Sequence, residues 1–463
     1  MAMARPVNPN PIPRVSTVRA KQKNGWTHIQ KVTSVYDPKT KNRKRLSSII
    51  IGKLPPGETD LSKMVPVRQR APKGTRSLEK VIDPMKSVND PRDQTKIIYP
   101  LDTVLTVILL AAMNKLTSCS QIASYWKTNR EELKSFFHDF PEKDISHDTV
   151  RRLLLILGKQ SENQLLQLFN HAMDYHFAQR VVAVDGQSVK AARINGAERA
   201  PYLLNFMDAD DELILSQKVI GNKENEITQA TSAISSLNIE GAIVTCDALN
   251  TQVKFANQIV KQRADYCLAV KANHSTLYEH IKSHFELDHS NFKVAAPKHE
   301  TRDSKIENRR LKVLPSSLLL ETVREDWPGL DLGCIIQAIT ESVDKNTGVC
   351  TTQTRYYISS LNYGSTYVAE VIMRAIRQHW AIENKGHWNL DVFFQQDKTQ
   401  CRNAYFLAAR CLINKIALNF YAKIQARLQM ESDKKKGITK PEIAVYLTKL
   451  PNLLEQLGLC MKN

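Results

Sequence analysis

The order of apolar and polar positions predicts a helical stretch followed by a stretch in which strands and helices alternate. Residues 100–178 contain apolar runs with helical spacing. Between residues 180 and 287, three apolar runs of strand length are followed by alternating helical and strand patterns. The predicted order, β-β-β-α-β-α-β-α, is typical of a mixed sheet flanked by helices.

The same order of elements is that of a ribonuclease-H-like fold, so we expect an α/β fold of that kind. Strand-like segments then interrupt the alternation, and helical spacing returns after them. The whole pattern predicts seven regions: a disordered basic tail (1–24), a basic β-hairpin with a linker (25–96), a helical domain (97–178), the first part of the α/β core (179–287), a β-rich insertion (288–360), the helical remainder of the core (361–430) and a C-terminal helical tail (431–463).

Positive charge is concentrated at the start of the chain. The net charge is +18, and residues 1–80 hold eighteen Lys and Arg against four Asp and Glu, a net charge of +14. A segment of that density attracts polyanions, and each neutralised phosphate of a nucleic acid adds affinity. Double-stranded DNA is therefore the expected partner, and the alternative is a basic tail that serves only solubility.

The basic β-hairpin is predicted from two strand-like segments with a turn between them. WTHIQKVTSVYD and KRLSSIIIGKL have strand composition, and PKTKNR between them has turn composition. A two-stranded ribbon can enter the major groove of DNA or lie along its backbone. We expect DNA contacts from the basic side chains at the tip and on the second arm, which are Lys39, Lys41, Arg43, Lys44 and Arg45.

The helical domain has two possible roles. Ser146 is placed to cap the N-terminus of a helix that carries Arg151 and Arg152, and both arginines are candidates for DNA contacts. Short helices with a capped, basic member form either a helix-turn-helix-like DNA-binding unit or a plain helical bundle. The sequence leaves both open.

Hydropathy and cysteine usage indicate a cytoplasmic protein that does not enter the membrane. The longest apolar run, residues 104–113, is too short to cross a bilayer, and no signal segment opens the chain. Eight cysteines lie scattered without a C-x-x-C pair, as expected for reduced thiols.

Two aspartates follow apolar strand patterns directly. Asp185 comes after VVAV and Asp247 after IVTC, so both are expected at the carboxyl ends of strands, where ligands bind in open α/β sheets. An aspartate that caps the following turn is the alternative for either residue taken alone. Strands one and four of the predicted topology are neighbours, so we expect the two carboxylates to lie side by side. Mg²⁺ binds one or two carboxylates with phosphate oxygens and waters, and paired ions promote phosphoryl transfer.

A later segment, RQHWAIENKGHWNLDVFFQQD (377–397), supplies a candidate third carboxylate. In an α-helix, side chains four residues apart share one face. The polar face of this predicted helix would hold His379, Glu383, His387 and Asp391, while Trp380 and Trp388 are expected in the core. Glu383 could then reach the two aspartates. The alternatives are a zinc site made by His379, Glu383 and His387, or a solvated face.

Eight segments in order resemble the DDE transposases of bacterial insertion sequences, in the H-repeat-associated (ISAs-type) branch. The resemblance covers residues 90–426 and rests on DPRDQTKIIYPLDTVL, SHDTVRRLL, AVDGQSVKAAR, KENEIT, AIVTCDALNTQ, YCLAVKANHSTL, TRYYISSL and HWAIENKGHWNLDVFFQQD. It implies that Asp185, Asp247 and Glu383 are the catalytic triad and hold two Mg²⁺ ions, with Mn²⁺ as a substitute. It also implies that the protein binds target DNA and the ends of the insertion sequence (the element ends). It further implies self-association into a dimer or larger synaptic complex and a location at the nucleoid in the bacterial cytoplasm.

Some positions depart from the wider transposase pattern. The Tyr, Arg and Lys expected around the third carboxylate are Ile376, His379 and Leu390 here, so Arg377, His379 and Lys385 are the candidate substitutes. Further candidates are Glu226, as an extra carboxylate, with Lys271 and Asn273 as phosphate contacts. Two hypotheses follow: an active transposase that cleaves and joins DNA, or a catalytically weak or domesticated relative that only binds it.

Overall fold

The fold is taken from a computed structural model. It describes residues 14–21, 27–37, 42–54, 56–57, 59, 65–66, 84–137, 140–160, 162–172, 180–192, 200–220, 226–248, 250–287, 292–302, 304–330, 332–399, 401, 403–431 and 438–456. The chain divides into two compact units, Met1–Thr75 and Arg76–Asn463.

The first unit contains a four-stranded antiparallel sheet. Its strands follow the chain order: β1 (Arg14–Lys21), β2 (Thr27–Asp37), β3 (Asn42–Leu54) and β4 (Val65–Pro66). The expectation that residues 1–24 are disordered is wrong for β1, whose β-branched sequence RVSTVRAK pairs along its whole length with β2. Lys39 and Lys41 lie outside the described residues, and only the backbone of Arg43, Lys44 and Arg45 is described, within β3.

The second unit is built on one mixed sheet of ten strands among the described residues. The strands are β5 (Val181–Ser188), β6 (Tyr202–Asp208), β7 (Leu213–Ile220), β8 (Ile243–Cys246), β9 (Asp265–Val270), β10 (Lys293–Val294), β11 (Lys298–Arg302), β12 (Lys305–Pro315), β13 (Cys334–Asp344) and β14 (Cys350–Ser359). Their order across the sheet is β10-β12-β13-β14-β9-β8-β5-β6-β7, and β11 pairs with β12.

The centre of the sheet contains the strands predicted from the apolar runs. β5 pairs antiparallel with β6 and parallel with β8, and β8 pairs parallel with β9. Buried Val and Ile residues fill β5 and β8, as expected for strands covered on both faces. The predicted adjacency of strands one and four is therefore confirmed.

The strand-like segments after residue 288 extend this sheet. β12, β13 and β14 form a long antiparallel meander, and β14 pairs with β9 at Tyr356–Ser359. These strands therefore continue the central hydrogen-bonded sheet. In their outer halves the burial changes, from buried to half-buried in β13 and from buried to exposed in β14.

Helices cover the sheet and form the stretch before it. They are α1 (Leu101–Met113), α2 (Cys119–Thr128), α3 (Arg130–Phe136), α4 (His147–Gly158), α5 (Glu162–Ala172), α6 (Glu226–Ser235), α7 (Val253–Lys261), α8 (Ser275–Glu286), α9 (Glu321–Glu325), α10 (Val368–His379), α11 (Ala404–Glu431), α12 (Lys440–Leu447) and α13 (Leu450–Gln456). Ser146 caps α4 as predicted, because its hydroxyl accepts from the Thr149 N–H.

The first helices share a hydrophobic core with the sheet and with α11. One continuous cluster joins residues of α1–α5 to Ala183, Met207 and Ile214 on the sheet and to the buried side of α11. Helices α4 and α11 approach each other closely at Gly158, because a Cβ there would lie 1.8 Å from the Tyr405 carbonyl oxygen. The described helices α1–α5 are therefore packed onto the α/β core. Whether they also bind DNA stays a prediction.

The described part of the chain includes seven cysteines, and none of them forms a disulfide. They include the buried Cys246, Cys267 and Cys334 in the central strands. None of the described helices has both the length and the apolar character needed to cross a bilayer.

Candidate active site

Asp185 and Asp247 occupy equivalent places on neighbouring parallel strands. The register pairs Val184 of β5 with Cys246 of β8, so the next residue on each strand is an aspartate. Asp185 does not end its strand, because β5 continues to Ser188 through its pairing with β6. The two carboxylates therefore lie side by side at one end of the parallel strands, as predicted.

A cavity of about 390 Å³ opens at this edge, and three carboxylates line it. Asp185 and Asp247 border it from the sheet, and Glu383 borders it from the segment after α10. His379, Lys271 and Arg355 also line it. Three acidic side chains that are distant in sequence thus face one space.

Asp247 is held by a cation and by the backbone. Lys271 Nζ lies 3.0 Å from Asp247 Oδ1, and the Ala248 N–H donates to the same oxygen over 2.7 Å. Burial works to raise the pKa of Asp247, but the hydrogen bonds from Lys271 and Ala248 outweigh it and hold the pKa below its ordinary value. Asp247 is therefore ionised at neutral pH.

Glu383 has the opposite shift. Burial raises the pKa of Glu383, the Arg355 guanidinium opposes this rise, and the negative charge of Asp247 adds to it. Glu383 and Asp247 line the same cavity, so their like charges repel each other there. A divalent cation would remove this repulsion.

The segment that carries Glu383 is not the regular α-helix that was predicted. α10 ends at His379, and π-helical turns follow at Ile382–His387 and Asn389–Phe393. A Cβ on Gly386 would lie 3.1 Å from Met207 Sδ, so glycine permits close packing on β6. π-Turns are frequent at functional sites, and nothing in the sequence spacing indicates them here.

Three of the four polar residues of this segment nevertheless contact the sheet, and the fourth, Glu383, is exposed at the cavity. His379 Nδ1 and Thr245 Oγ1 of β8 are 3.1 Å apart, within hydrogen-bonding distance. His387 Nε2 lies 3.1 Å from Asn205 Nδ2, and its Nδ1 lies 3.6 Å from Asp185 Oδ2. Asp391 accepts a 2.8 Å hydrogen bond from Gln187 of β5. The interpretation as a solvated face is therefore wrong for His379, His387 and Asp391, whose polar groups contact the sheet.

One tryptophan of the segment is placed differently from the prediction. Trp388 is 55% exposed, so its expected core position is wrong. Trp380 is half-buried and lies under Arg355 at the edge of the cavity. The π-turns change the direction of the side chains after Glu383, which the 3.6-residue period cannot anticipate.

The two histidines are neutral in the folded protein. Burial lowers the pKa of His379 to about 4, with Asp247 opposing and Arg355 adding to the shift. Burial, Lys415 and His379 lower the pKa of His387 to about 4. Neutral imidazoles next to Asp185 and Asp247 leave the charge of both carboxylates available for a cation.

Stability is expected to fall as the pH drops from about 6.5 to about 4. In this window the unfolded chain protonates His379 and His387, while the folded chain does not, so proton binding favours unfolding. By about pH 5 the loss reaches about 2 kcal/mol for each histidine. Urea unfolding at about pH 7.5 and at about pH 5 measures this loss of stability, both for the wild type and for His387→Gln. The variant should lose less stability on acidification, and an equal loss in both proteins would contradict this assignment.

The zinc alternative receives no support from the arrangement of its ligands. Among the described residues, no group of three His, Cys, Asp or Glu side chains already surrounds a point where a metal would sit. His379 turns to Thr245 and His387 turns to Asn205, on different strands. The three carboxylates likewise line one cavity without forming a closed three-ligand cage.

The structure places the candidate DNA-contact residues in different environments. Lys271 and Asn273 lie at the predicted edge, with Lys271 on Asp247 and Asn273 Nδ2 donating to the Ala248 carbonyl over 2.9 Å. Arg377 forms an ion pair with Glu300, and Lys385 forms one with Glu212 at 2.7 Å. The side chains of Arg151 and Arg152 are exposed on α4. Glu226 begins α6, and its side chain lies outside the described part of the structure.

Sequence reasoning missed two groups at the site. Arg355, on β14, enters the cavity from the predicted insertion, and no local pattern separates it from other strand arginines. Gln187, which is 5% exposed, lies in a buried network with Asn205 and Gln396. The sequence could have indicated Gln187, because it lies two residues after Asp185 and residues two apart on a strand share one face.

Comparison with known proteins gives family matches over most of the second unit. A family model described as "Transposase DDE domain" matches residues 176–420, and one described as "DDE_Tnp_1-associated" matches residues 82–170. Two relatives from Escherichia coli (strain K12) each align over 354 residues, which is 74% of this chain and 90% of the relative. "Putative protein YbfL" is 27% identical, and "H repeat-associated putative transposase YhhI" is 26% identical. A solved piggyBac transposase synaptic complex with hairpin DNA aligns with a TM-score of 0.39 at 12% identity, over 83% of this chain and 79% of that one.

Proposed function

Because this chain belongs to the transposase DDE-domain family, we propose that it cleaves and transfers DNA strands at the ends of an insertion sequence. The observation that supports this most directly is the cavity lined by Asp185, Asp247 and Glu383. Asp185 and Asp247 are side by side through the strand register, and Glu383 reaches them from a distant segment.

The donor set of the cavity suits Mg²⁺ or Mn²⁺. Hard divalent cations bind carboxylate oxygens, and Mg²⁺ needs only one or two of them because phosphate oxygens and waters complete its shell. The Lys271 ammonium already sits against Asp247, so this position stabilises positive charge. Asp185, Asp247 and Glu383 would hold two such ions, which supply Lewis-acid activation of the phosphate and of the attacking oxygen.

The side chains around the carboxylates have separate tasks in this proposal. Lys271 and Asn273 fix the loop that follows Asp247 and present a cation to the DNA phosphate. His379 has a pKa of about 4, which makes it a weak base near neutral pH, so its role is to orient groups in the cavity. Glu226 stays a candidate for an additional carboxylate.

Residues outside the cavity are proposed to bind DNA and to bring two element ends together. The strand order β7-β6-β5-β8-β9 supports a ribonuclease-H-like core. The net charge of +14 in residues 1–80 supports DNA binding by the first unit, including Lys39, Lys41, Arg43, Lys44 and Arg45. Arg151 and Arg152 would add contacts from α4. Two element ends must meet for transposition, so we propose a dimer or larger synaptic complex, acting at the nucleoid in the bacterial cytoplasm.

A strand-cleavage assay on duplex DNA that carries the terminal repeats flanking the gene tests the proposed function. Incubation with Mg²⁺ or Mn²⁺ should release a 3′-hydroxyl at the element end, because both ions are octahedral oxygen binders. EDTA should abolish cleavage, and Ca²⁺ should allow binding with little cleavage. Cleavage that survives EDTA would contradict the metal assignment. DNA binding without cleavage under every metal would favour the alternative, a catalytically weak or domesticated DNA-binding relative.

A further inference from the structure

A second cavity adjoins the candidate active site. It measures about 330 Å³ and lies between α10 and the long strands β12–β14. Six residues line both cavities: Gln353, Arg355, Tyr357, Ile376, Trp380 and Glu383. A polymer bound at the three carboxylates can therefore continue into the second space without leaving the surface.

Four arginines line this second cavity, and carboxylates compensate three of them. Arg309 forms ion pairs with Glu300 and Glu307. Arg310 pairs with Glu341, and Arg377 pairs with Glu300. These three guanidinium groups are engaged in holding β11, β12, β13 and α10 together.

Arg355 is different from its neighbours. Among the described residues it forms no ion pair, and its guanidinium carbon lies 4.7 Å from the centre of the Trp380 ring. The side chain is half-buried and borders both cavities. Stacking on an aromatic ring engages the face of a guanidinium and leaves its N–H edge for an anion. A half-buried cation without a carboxylate partner is costly unless a ligand supplies the negative charge.

We propose that Arg355 binds a backbone phosphate of the DNA strand as it passes from the three carboxylates into the adjoining cavity. This inference rests on the proposed function and adds a residue that positions its substrate. The ligand class follows from two features: a planar fork of donors suits a phosphodiester, and Trp380 holds the fork in place.

The proposal also explains why Arg377 and Lys385 need not hold the substrate. Their charges are already neutralised by Glu300 and Glu212, so a phosphate gains less from them. Arg355 reaches the cavity from β14, whose partner strand β9 leads directly to Lys271. Arg355 therefore presents its charge to the cavity from a position next to Lys271, whose ammonium is paired with Asp247.

The test compares Arg355→Gln and Arg355→Lys with the wild type. Arg263→Gln is the matched control, because it removes one exposed arginine whose partner is Glu240. DNA binding is measured by fluorescence anisotropy in Ca²⁺ over a range of salt, and cleavage is measured in Mg²⁺. A series of duplexes then carries one neutral methylphosphonate at each linkage near the cleaved bond. Thermal unfolding confirms that each variant is folded.

Arg355→Gln should weaken binding or cleavage about 10- to 100-fold, the range for a lost hydrogen bond to a charged group. The salt dependence of its binding should fall by about one phosphate contact. Arg355→Lys should recover part of the loss, and Arg263→Gln should behave like the wild type. One methylphosphonate should weaken the wild type about tenfold and leave Arg355→Gln unchanged.

Three outcomes would overturn the proposal. In the first, a folded Arg355→Gln binds and cleaves DNA like the wild type. In the second, Arg263→Gln loses as much binding or cleavage as Arg355→Gln. In the third, the methylphosphonate series gives the same profile for the wild type and Arg355→Gln. A wild type that binds DNA but never cleaves it would contradict the proposed function alone. In that case the anisotropy comparison, which needs no cleavage, still decides the role of Arg355.

Discussion

Asp247→Asn is expected to reduce strand cleavage on the order of a thousandfold while DNA binding persists. A metal ion contributes several kcal/mol of transition-state stabilisation, and each 1.36 kcal/mol corresponds to about a factor of ten in rate. Asparagine keeps the size of Asp247 and removes the charge that would hold the cation. The measurement is the single-turnover cleavage rate with Mg²⁺ on DNA that carries the element end, beside the dissociation constant in Ca²⁺.

Asp265→Asn is the matched control for this substitution. Asp265 begins β9 and accepts a 2.8 Å hydrogen bond from Ser360, so it belongs to the same sheet but does not line the cavity. The control should cleave at close to the wild-type rate. Cleavage by Asp247→Asn at the rate of Asp265→Asn would remove Asp247 from the active site.

Asn419→Ala is expected to lower the free energy of unfolding by about 2–4 kcal/mol, since each unsatisfied buried polar group costs about 1–3 kcal/mol. Asn419 is fully buried on α11, and its side chain pairs with both backbone groups of Ile214 on the edge strand β7. Its Nδ2 also donates to Asn170 Oδ1 of α5 over 2.9 Å. The substitution therefore removes the hydrogen bonds of α11 to α5 and to the sheet, while Asn170 keeps its own 3.0 Å hydrogen bond to the Ile214 carbonyl. Urea unfolding at neutral pH measures the effect.

A second buried asparagine on the same helix is the control. Asn414 is 1% exposed, and neither its Nδ2 nor its Oδ1 has a hydrogen-bond partner among the described residues. Asn414→Ala removes a buried amide without hydrogen bonds, which stabilises the folded state, and it also leaves a smaller side chain, which destabilises it. The two effects offset each other, so we expect the free energy of unfolding to change by no more than about 1 kcal/mol. If both substitutions destabilise equally, the hydrogen bonds of Asn419 do not account for its effect.

The strands and helices of the core were predictable because their signal is local. Val181–Ser188 and Ile243–Cys246 are apolar runs of strand length, and Val253–Lys261 has helical spacing. Such patterns depend on residues within one or two turns of each other. The same locality limits them: RVSTVRAK of β1 was assigned to a disordered tail, because its partner strand lies elsewhere in the chain.

The candidate site was only partly predictable. Asp185 and Asp247 follow from their positions at neighbouring strands, and Glu383 was proposed from spacing and from family resemblance. The π-turns around Glu383 and the exposure of Trp388 were not foreseen, since the spacing of apolar and polar residues does not indicate π-turns. Arg377 and Lys385 were chosen by their distance from Glu383 along the chain. Their glutamate partners come from β11 and from the turn before β7.

Contiguous residues were enough to predict the mixed α/β character, the places of Asp185 and Asp247 on neighbouring strands and the basic first segment, because apolar period and charge are local properties. The contacts between distant segments set the rest: Glu383 lines the same cavity as those aspartates, the histidines are neutral, and Arg355 is the arginine of the adjoining cavity with no carboxylate partner among the described residues. These facts depend on which distant side chains meet, and that is set by the packing of β14, α10 and the π-turns on the central strands.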